Sequence, residues 1–331
     1  MRKMMRRLIP TVLAACLLSA GAVRAQTGTT GSDYPNRPIR LIAPFAAGGS
    51  TDMLARTIAP ELSKRLGQNV VVENRPGAGG VIGTEMIARA VPDGYTIGIG
   101  SPGPLVVNVS LMNAMPYDPV RDVTPVSLIA DLPIVLVAHP SLSVNNIREL
   151  IAAEKAKPGT LSFASAGAGT TMHLAGELLN VMAGTRLVHV PYKGTGPAMT
   201  DILGGQVALG FLDIPSTAAH VKAGKIKVLA IGNARRSITA PDIPTIDESG
   251  VPGYETTGWF GIIAPAGTPA AIVNRLHAEL VTVMKDASVR EKLLGAGIEP
   301  MATTPEAFGA FIRSEIPKWA KVVQHAGMPK R

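Results

Sequence analysis

Two glycine-rich turns hold the residues best placed to do chemistry. The first, "FAAGGSTD" at residues 45–52, runs Phe45, Ala46, Ala47, Gly48 and Gly49 into Ser50, Thr51 and Asp52, where an amphipathic pattern begins. The second, "SAGAGTTMH" at residues 165–173, runs Ser165, Ala166, Gly167 and Gly169 into Thr170 and Thr171 in the same manner. A helix start presents unpaired N–H groups and about half a positive charge, which suits a carboxylate or a phosphate. Glycine removes the Cβ that would keep a ligand off the backbone. By residue pattern alone, a simple helix cap by Ser50 or Asp52, worth about 1 kcal/mol, explains the first turn equally well. The repetition is the more informative fact, because two such helix starts facing each other would hold one ligand from both sides. Asp52 is also a candidate partner for a ligand amino group.

Two further loops belong to the set. "GSPGP" at residues 100–104 contains Ser101 and Pro102, and "PYKGTGPA" at residues 191–198 brings the Tyr192 phenol and the Lys193 ammonium beside Gly194. An exposed turn accounts for the composition of the second as well. His173 falls in a first helical turn and reads as a packed, neutral histidine.

Enzyme signatures are sparse. "AGKIK" lacks the upstream glycine and the hydroxyl of a P-loop, and "GAGTTMH" and "GAGGVIG" each miss the last glycine of the dinucleotide fingerprint. "FASAG" places Phe163 where a nucleophile elbow has glycine. The rival from another class is an exported hydrolase with Ser165 as nucleophile and His173 or His189 as base. The six histidines, at positions 139, 173, 189, 220, 277 and 325, show no metal-ligand spacing. A non-enzymatic binding protein without metal or cofactor is the expectation.

The elements that must position these turns alternate. Short β-branched runs at residues 39–45, 69–76 and 95–101 are separated by a helical pattern through Leu54, Ile58, Leu62 and Leu66 and by a second helix through Met86 to Ala90. A long apolar run at residues 126–140 starts a second block: a helix at 146–157, strand–turn–helix at 160–184, then short strands at 186–192, 207–213 and 226–232. A strand and turn at 258–269 and helices at 270–286 and 305–326 close the chain. Strands alternating with helices predict an α/β fold with a mostly parallel sheet. The chain divides into a first lobe of residues 33–129 plus 257–331 and a second of 130–256, crossing near residues 128–132 and 255–260. In such sheets ligands sit beyond the carboxyl ends of the strands, where the glycine turns lie.

The first 25 residues read as a cleaved secretory signal peptide: a basic start, a short apolar core and "AVRA" before Gln26. "LAAC" resembles a lipobox, but the apolar run continues past Cys16, which favours cleavage over lipidation. Residues 26–32 form a polar tail expected to be disordered. Cleavage removes five basic residues and no acid, taking the formal charge from +8 to +3. That charge calls for neither nucleic acid nor an anionic membrane surface. The single cysteine leaves with the leader, so no disulfide or thiol chemistry is expected.

Longer blocks resemble the Bug/TctC family, the extracytoplasmic solute receptors of the tripartite tricarboxylate transporters. They are "YPNRPIRLIAPFAAGGSTDMLAR", "VVENRPGAGGVIG", "DGYTIGIGS", "HVPYKGTGPAMTDILGGQVALGF", "PTIDESGVPGYETTGWFGIIAPAGTP" and "PKWAKVVQHAG", in the family's order over residues 34–327. The resemblance implies a type II periplasmic-binding-protein fold of two α/β lobes around a cleft. It implies a di- or tricarboxylate, acidic amino acid or aromatic acid held by backbone N–H groups of the loops at 45–52 and 165–171, and delivery of that ligand to an integral-membrane permease. Ser101 and Tyr192, Lys193 and Gly194 fall on its other cleft-facing stretches, and Phe45, Ala46, Pro102 and Asp213 on positions shaping selectivity. Few basic side chains flank the turns, so a tricarboxylate fits less well than a monocarboxylate or a polar dicarboxylate. A monomer is expected, and a receptor presenting its ligand to a membrane kinase uses the same fold.

Overall fold

The apolar run at the start of the first block becomes β1 (Ile39–Ala43), and the spacing of Leu54, Ile58, Leu62 and Leu66 becomes α1 (Ser50–Leu66), with all four side chains buried. Gly67, at φ 67°, ends the helix in the left-handed conformation that glycine adopts without a Cβ penalty. The computed structural model describes residues 34–325, 328 and 330, so the expected leader, Cys16 and the expected tail at 26–32 lie outside the described residues. Pro35–Arg331 forms one unit by its contacts.

The first block continues through β2 (Val70–Asn74), α2 (Val81–Ala88), β3 (Thr96–Gly100) and the single turn α3 (Asn108–Leu111). β4 (Val123–Ala138) leads into α4 (Ile147–Ala156), β5 (Ser162–Ser165), α5 (Thr171–Ala183), β6 (Val188–Pro191), α6 (Thr195–Leu203), β7 (Leu209–Asp213), α7 (Ile214–Lys222) and β8 (Lys227–Ile231). The chain then returns through β9 (Thr257–Pro265), α8 (Ala270–Lys285), α9 (Ala287–Gly295), the short β10 (Glu299–Pro300) and α10 (Pro305–His325).

The strand order β2-β1-β3-β9-β4-β7-β5-β6 contains two parallel groups joined by antiparallel strands. β2, β1 and β3 are parallel, as are β6, β5 and β7. β9 runs against β3 and β4, and β4 runs against β7 and β8. The sheet is therefore mixed, where alternating elements predict a mostly parallel one. The cause is the two long strands: a chain that passes from one parallel group to the other needs no helical crossover and can run against its neighbours.

β4 carries the join. Its 16 residues would extend about 53 Å at 3.3 Å per residue. Up to Pro133 it pairs with β9; from Ile134 it pairs with β7, and from Val135 also with β8. Proline has no N–H to give a ladder, and Pro133 stands where one ladder stops and the next begins. The returning chain is tied at the same level. Gly232 N–H donates to the Ile134 carbonyl at 2.7 Å, and Thr256 N–H donates to the Gly232 carbonyl at 2.8 Å.

Helices cover both faces of the second parallel group, so all five residues of β7 are buried. Phe163, Phe211 and Tyr254 centre the core under α4 and α5, with the two phenylalanine rings edge to face at 5.6 Å. On the first group Trp259 packs edge to face on Phe308 of α10 at 5.7 Å. Phe163 is wholly buried, and Phe163→Ala is expected to lower unfolding free energy by about 3–5 kcal/mol. A urea midpoint unchanged from the wild type would contradict that packing role.

Candidate ligand-binding site

Strand ends bring the loops together. β1 ends at Ala43 and β5 at Ser165, and each hands its chain through a glycine turn to a helix start, at Ser50 and Thr171. β3 runs through Ser101 and Pro102 into a turn of π-helix at Gly103–Val107. β7 ends on Asp213, which opens α7. The two parallel groups run in opposite directions along β4, and the carboxyl ends of each point toward the level at which β4 changes partners, so the glycine turns of the two groups meet there.

They enclose a cavity of about 50 Å³, room for a few waters. The first group supplies Phe45, Gly49, Ser50 and Thr51, with Ser101, Pro102 and Gly103. Ala166, Thr170, Thr171, Met172, Thr195 and Asp213 come from the second. Leu132, Ile134, Gly258, Trp259 and Phe260 of the crossing strands form the rest of the wall. No Lys, Arg or His is among these residues, and Asp213 is their one carboxylate.

Positive potential here comes from the main chain. Thr170 caps α5, its Oγ1 accepting from His173 N–H at 3.3 Å. α1 has Gly49 at its cap position and no side-chain cap of its own. Its acceptor arrives from the other parallel group: Ser50 N–H donates to Thr195 Oγ1 at 3.2 Å. The N–H groups of Thr51 and Thr171 lie in first turns, where a helix offers no internal acceptor. Two buried polar atoms of cavity-lining residues, Ser101 Oγ and Asp213 Oδ2, have no partner in hydrogen-bond geometry, although the Ser50 side chain stands near the Asp213 carboxyl. Asp213 is 1% exposed, and its Oδ1 accepts from Ser216 N–H at 3.1 Å. Burial pushes its carboxyl above the ordinary range, against the pull of hydrogen-bonding groups on Ser216 and Ser50.

A second cavity, of about 210 Å³, lies beside the first. The tight turn Ala78–Gly80 forms one wall; Ala166, Gly167, Ala168, Tyr192 and Lys193 form the other, with Phe45 shared. The Tyr192 hydroxyl donates to Asp201 Oδ2 at 2.6 Å, and burial together with that carboxylate pushes its pKa up to about 12.

The residues singled out in the sequence therefore separate into three groups. Phe45, Gly49, Ser101, Pro102, Ala166, Thr170, Thr171 and Asp213 meet on the first cavity, and Gly167, Tyr192 and Lys193 line the second. Ala46, Ala47, Gly48, Asp52, Ser165, Gly169 and Gly194 line neither. Most of these last brace the loops. Ala46 N–H donates to the Lys193 carbonyl at 2.9 Å, with Gly194 packed against it, and a Cβ on Gly196 would stand 3.0 Å from the Ala47 carbonyl.

Asp52 takes Gly48 N–H on Oδ2 at 3.1 Å and the Arg56 guanidinium on Oδ1 at 2.9 Å. Burial alone would raise its pKa, but Arg56 and the Gly48 amide outweigh it and hold the carboxyl below the ordinary range. Its oxygens are thus engaged away from any ligand amino group.

Under the second turn, Ser165 Oγ accepts from Gly167 N–H at 3.1 Å and lies 2.6 Å from His189 Nε2. Gly169 N–H donates to His173 Nδ1 at 3.1 Å, and the His173 and His189 rings stack at 3.8 Å. The Gly167 and Gly169 amides, which the sequence offers to a ligand, are occupied within the loop. Ser165 is wholly buried and off both cavities, out of reach of a substrate there despite its histidine neighbour.

Several lining residues escaped the sequence reading. Leu132, Ile134, Trp259 and Phe260 lie on or beside the crossing segments, but which side chains face the cleft depends on where β4 changes partners. Thr195 follows "YKG" directly and was legible only as part of a turn.

Residues 54–328 match the tripartite tricarboxylate transporter family receptor, TctC. The chain belongs to this family. Protein BugT of Bordetella pertussis is 40% identical over 324 residues, covering 98% of both chains. Rpa4515 of R. palustris, solved with adipate, superposes at a TM-score of 0.88 with 39% identity over 90% of this chain and 100% of its own. MatC of Rhodopseudomonas palustris, solved with bound malate, gives 0.84 with 33% identity over 88% and 100%. The TctC fold here is accordingly the periplasmic-binding-protein type, two α/β lobes with a cleft between them. No helix among the described residues is long and apolar enough to cross a membrane.

In this TctC chain the two lobes touch through main chain. Gly49 sits at φ −93°, a value open to any residue, and a Cβ there would stand 2.6 Å from Thr195 Oγ1 across the cleft. Gly49→Ala is expected to leave each lobe folded and to hold them apart. Solution X-ray scattering should then give a larger radius of gyration with an unchanged near-ultraviolet circular dichroism spectrum; an unchanged radius would contradict the contact.

Proposed function

We propose that this chain is an exported receptor that closes its two lobes on a small carboxylate and hands it to the integral-membrane permease of a tripartite tricarboxylate transporter. The observation that carries this reading is the convergence of two helix starts, α1 from one lobe and α5 from the other, on a cavity lined by no basic side chain. Each start supplies about half a positive charge, so together they match one carboxylate. The adipate and malate in the two related structures are ligands of that chemistry.

In the proposed site the first-turn N–H groups of Thr51 and Thr171 and the Ser101 hydroxyl hold the carboxylate. Leu132, Ile134, Met172 and Phe260 receive the carbon body. The lobes are residues 33–129 plus 257–331 and 130–256, with the hinge at the level of Ile134 and Gly232, where β4 changes partners and the chain returns. The receptor acts as a monomer in the periplasm after removal of its first 25 residues, and it performs no chemistry on its ligand.

A thermal-shift screen over adipate, malate, glutamate, benzoate and citrate tests this. A true ligand at a hundred times its Kd adds about 2.7 kcal/mol of stability, a shift of a few degrees for a chain of this size. Citrate, with three charges and no cation to meet them, should give the smallest rise. A panel of organic acids in which none moves the melting temperature would overturn the receptor reading.

A further inference from the structure

Asp213 is the anomaly of this site. A cavity proposed to receive an anion contains one titratable side chain, and that side chain is an acid. Its Oδ1 is committed to the Ser216 amide as the cap of α7, whereas Oδ2 is buried without a partner. An unpaired carboxylate buried in this way costs several kcal/mol, and a second carboxylate brought beside it would cost more. A proton on Oδ2 removes the charge from both and leaves only the smaller cost of an unpaired hydroxyl, which the ligand would relieve. An unpartnered acceptor then becomes a donor available to the ligand.

The surroundings agree. β4 places Ile134 in register with Asp213, β9 brings Gly258 and Trp259 to the cavity, and Gly297 packs on the adjoining Ile214. From α1 the cavity receives Ser50, whose hydroxyl faces Asp213 and, with Ser216, favours its ionised form against burial, while the Asp52 carboxylate is tied to Arg56 and Gly48. The start of α6 brings Thr195, with Lys193 turned to the second cavity. α5 brings Thr171 and Met172, and its His173 is engaged by the Gly169 amide with Glu177 3.6 Å beyond. α7 itself adds Ser216 and Thr217, with His220 and Lys222 only in its last turn. None of these elements puts a cation against Asp213 to hold it ionised.

We propose that Asp213 meets the ligand carboxylate as a neutral carboxyl, donating from Oδ2, so that capture of the anion is coupled to one proton. This rests on the receptor reading above and adds a proton to it. Solvent supplies that proton whenever Asp213 is ionised in the empty site, and release of the ligand returns it. Affinity therefore decreases as pH rises, because deprotonated Asp213 both loses its donor and repels the anion.

The test uses whichever of adipate, malate, glutamate or benzoate raises the melting temperature of the full mature chain. Titration calorimetry is run from about pH 6 to 9, where the carboxyls of these acids are already ionised. Affinity should fall by up to about tenfold per pH unit above the pKa of Asp213 in the empty site. Heats measured in two buffers of different ionisation enthalpy should show uptake of up to one proton per ligand.

Asp213→Asn retains a good helix cap and puts a permanent Nδ2 donor in place of the proton. It should remove both the slope and the uptake, and at the top of the pH range bind more tightly than the wild type. Flat affinity with no proton uptake in the wild type would overturn the proposal and leave the receptor standing. So would an Asp213→Asn protein that folds but binds none of the acids, since Asp213 would then be accepting from a donor on the ligand. If none of the acids binds the wild type, the receptor reading itself fails and this proposal with it.

Discussion

Across the cleft two main chains approach more closely than side chains would allow. A Cβ on Gly79 would overlap the Ala168 carbonyl, one on Gly169 would overlap the Asn108 amide, and one on Gly103 would crowd the carbonyls of both Gly79 and Gly169. The site depends on that approach, because helix ends have short reach: the field of a helix start fades within its first turn. Only if the lobes come together backbone to backbone can α1 and α5 act on the same small volume. Glycine at these turns is therefore a condition for lobe contact first, and for ligand access second. The loop hydrogen bonds fit this order, since the Gly167 and Gly169 amides are spent on Ser165 and His173 to shape the turn.

The electrostatics follow from the same geometry. An arginine or lysine in the cavity would attract an anion more strongly, but it would carry a full charge into a site that must also stand empty, at a desolvation cost of several kcal/mol. Helix starts are cheaper to bury: their N–H groups are fixed by the fold and already oriented before any ligand arrives. Two of them carry about one positive charge between them, enough for a single carboxylate. Charge beyond that must find compensation elsewhere, which is why the ionisation state of Asp213 bears directly on what the cavity accepts.

Much of this was legible in the chain because the signals were local. The periodicity of Leu54, Ile58, Leu62 and Leu66 fixes α1 within a residue, and the glycine turns at 45–52 and 165–171 mark where the strands hand over to helices. Besides the single turn α3, three helices are not legible, for equally local reasons. α6 carries Gly196 and Pro197 in its first turn, α7 opens Ile-Pro, and α9 is a nine-residue helix that buries only Val289 and Leu293. The antiparallel course of β4 and β9 could not be read from alternating elements, since it follows from which ladder each residue joins. The site divided in the same way. Sequence located the loops, but which amides remain for a ligand is decided by Asp52, Ser165 and His173 acting from below, and those are tertiary contacts. The resemblance places Asp213 on a selectivity position but gives it no role, because its unpartnered Oδ2 exists only in three dimensions.

The crossing strands tie capture to movement. Leu132 and Ile134 stand on either side of Pro133, at the point where β4 exchanges β9 for β7, and both line the cavity. Gly258 and Phe260 do the same from β9, one and three residues after the strand begins. In the proposed site, the wall that meets the carbon body of a ligand is thus the segment about which the lobes would rotate. A ligand shifts an open–shut equilibrium only by binding one form better than the other. In the proposed receptor the difference has a structural source: with the Thr51 and Thr171 amides on different lobes, a carboxylate would reach both only when the lobes are together, and a body resting on Leu132, Ile134 and Phe260 would hold the hinge at that angle. The same closeness that glycine permits would then set the direction of the switch, the anion adding to cross-lobe hydrogen bonds such as Ser50–Thr195 and Ala46–Lys193, each worth about 1 kcal/mol.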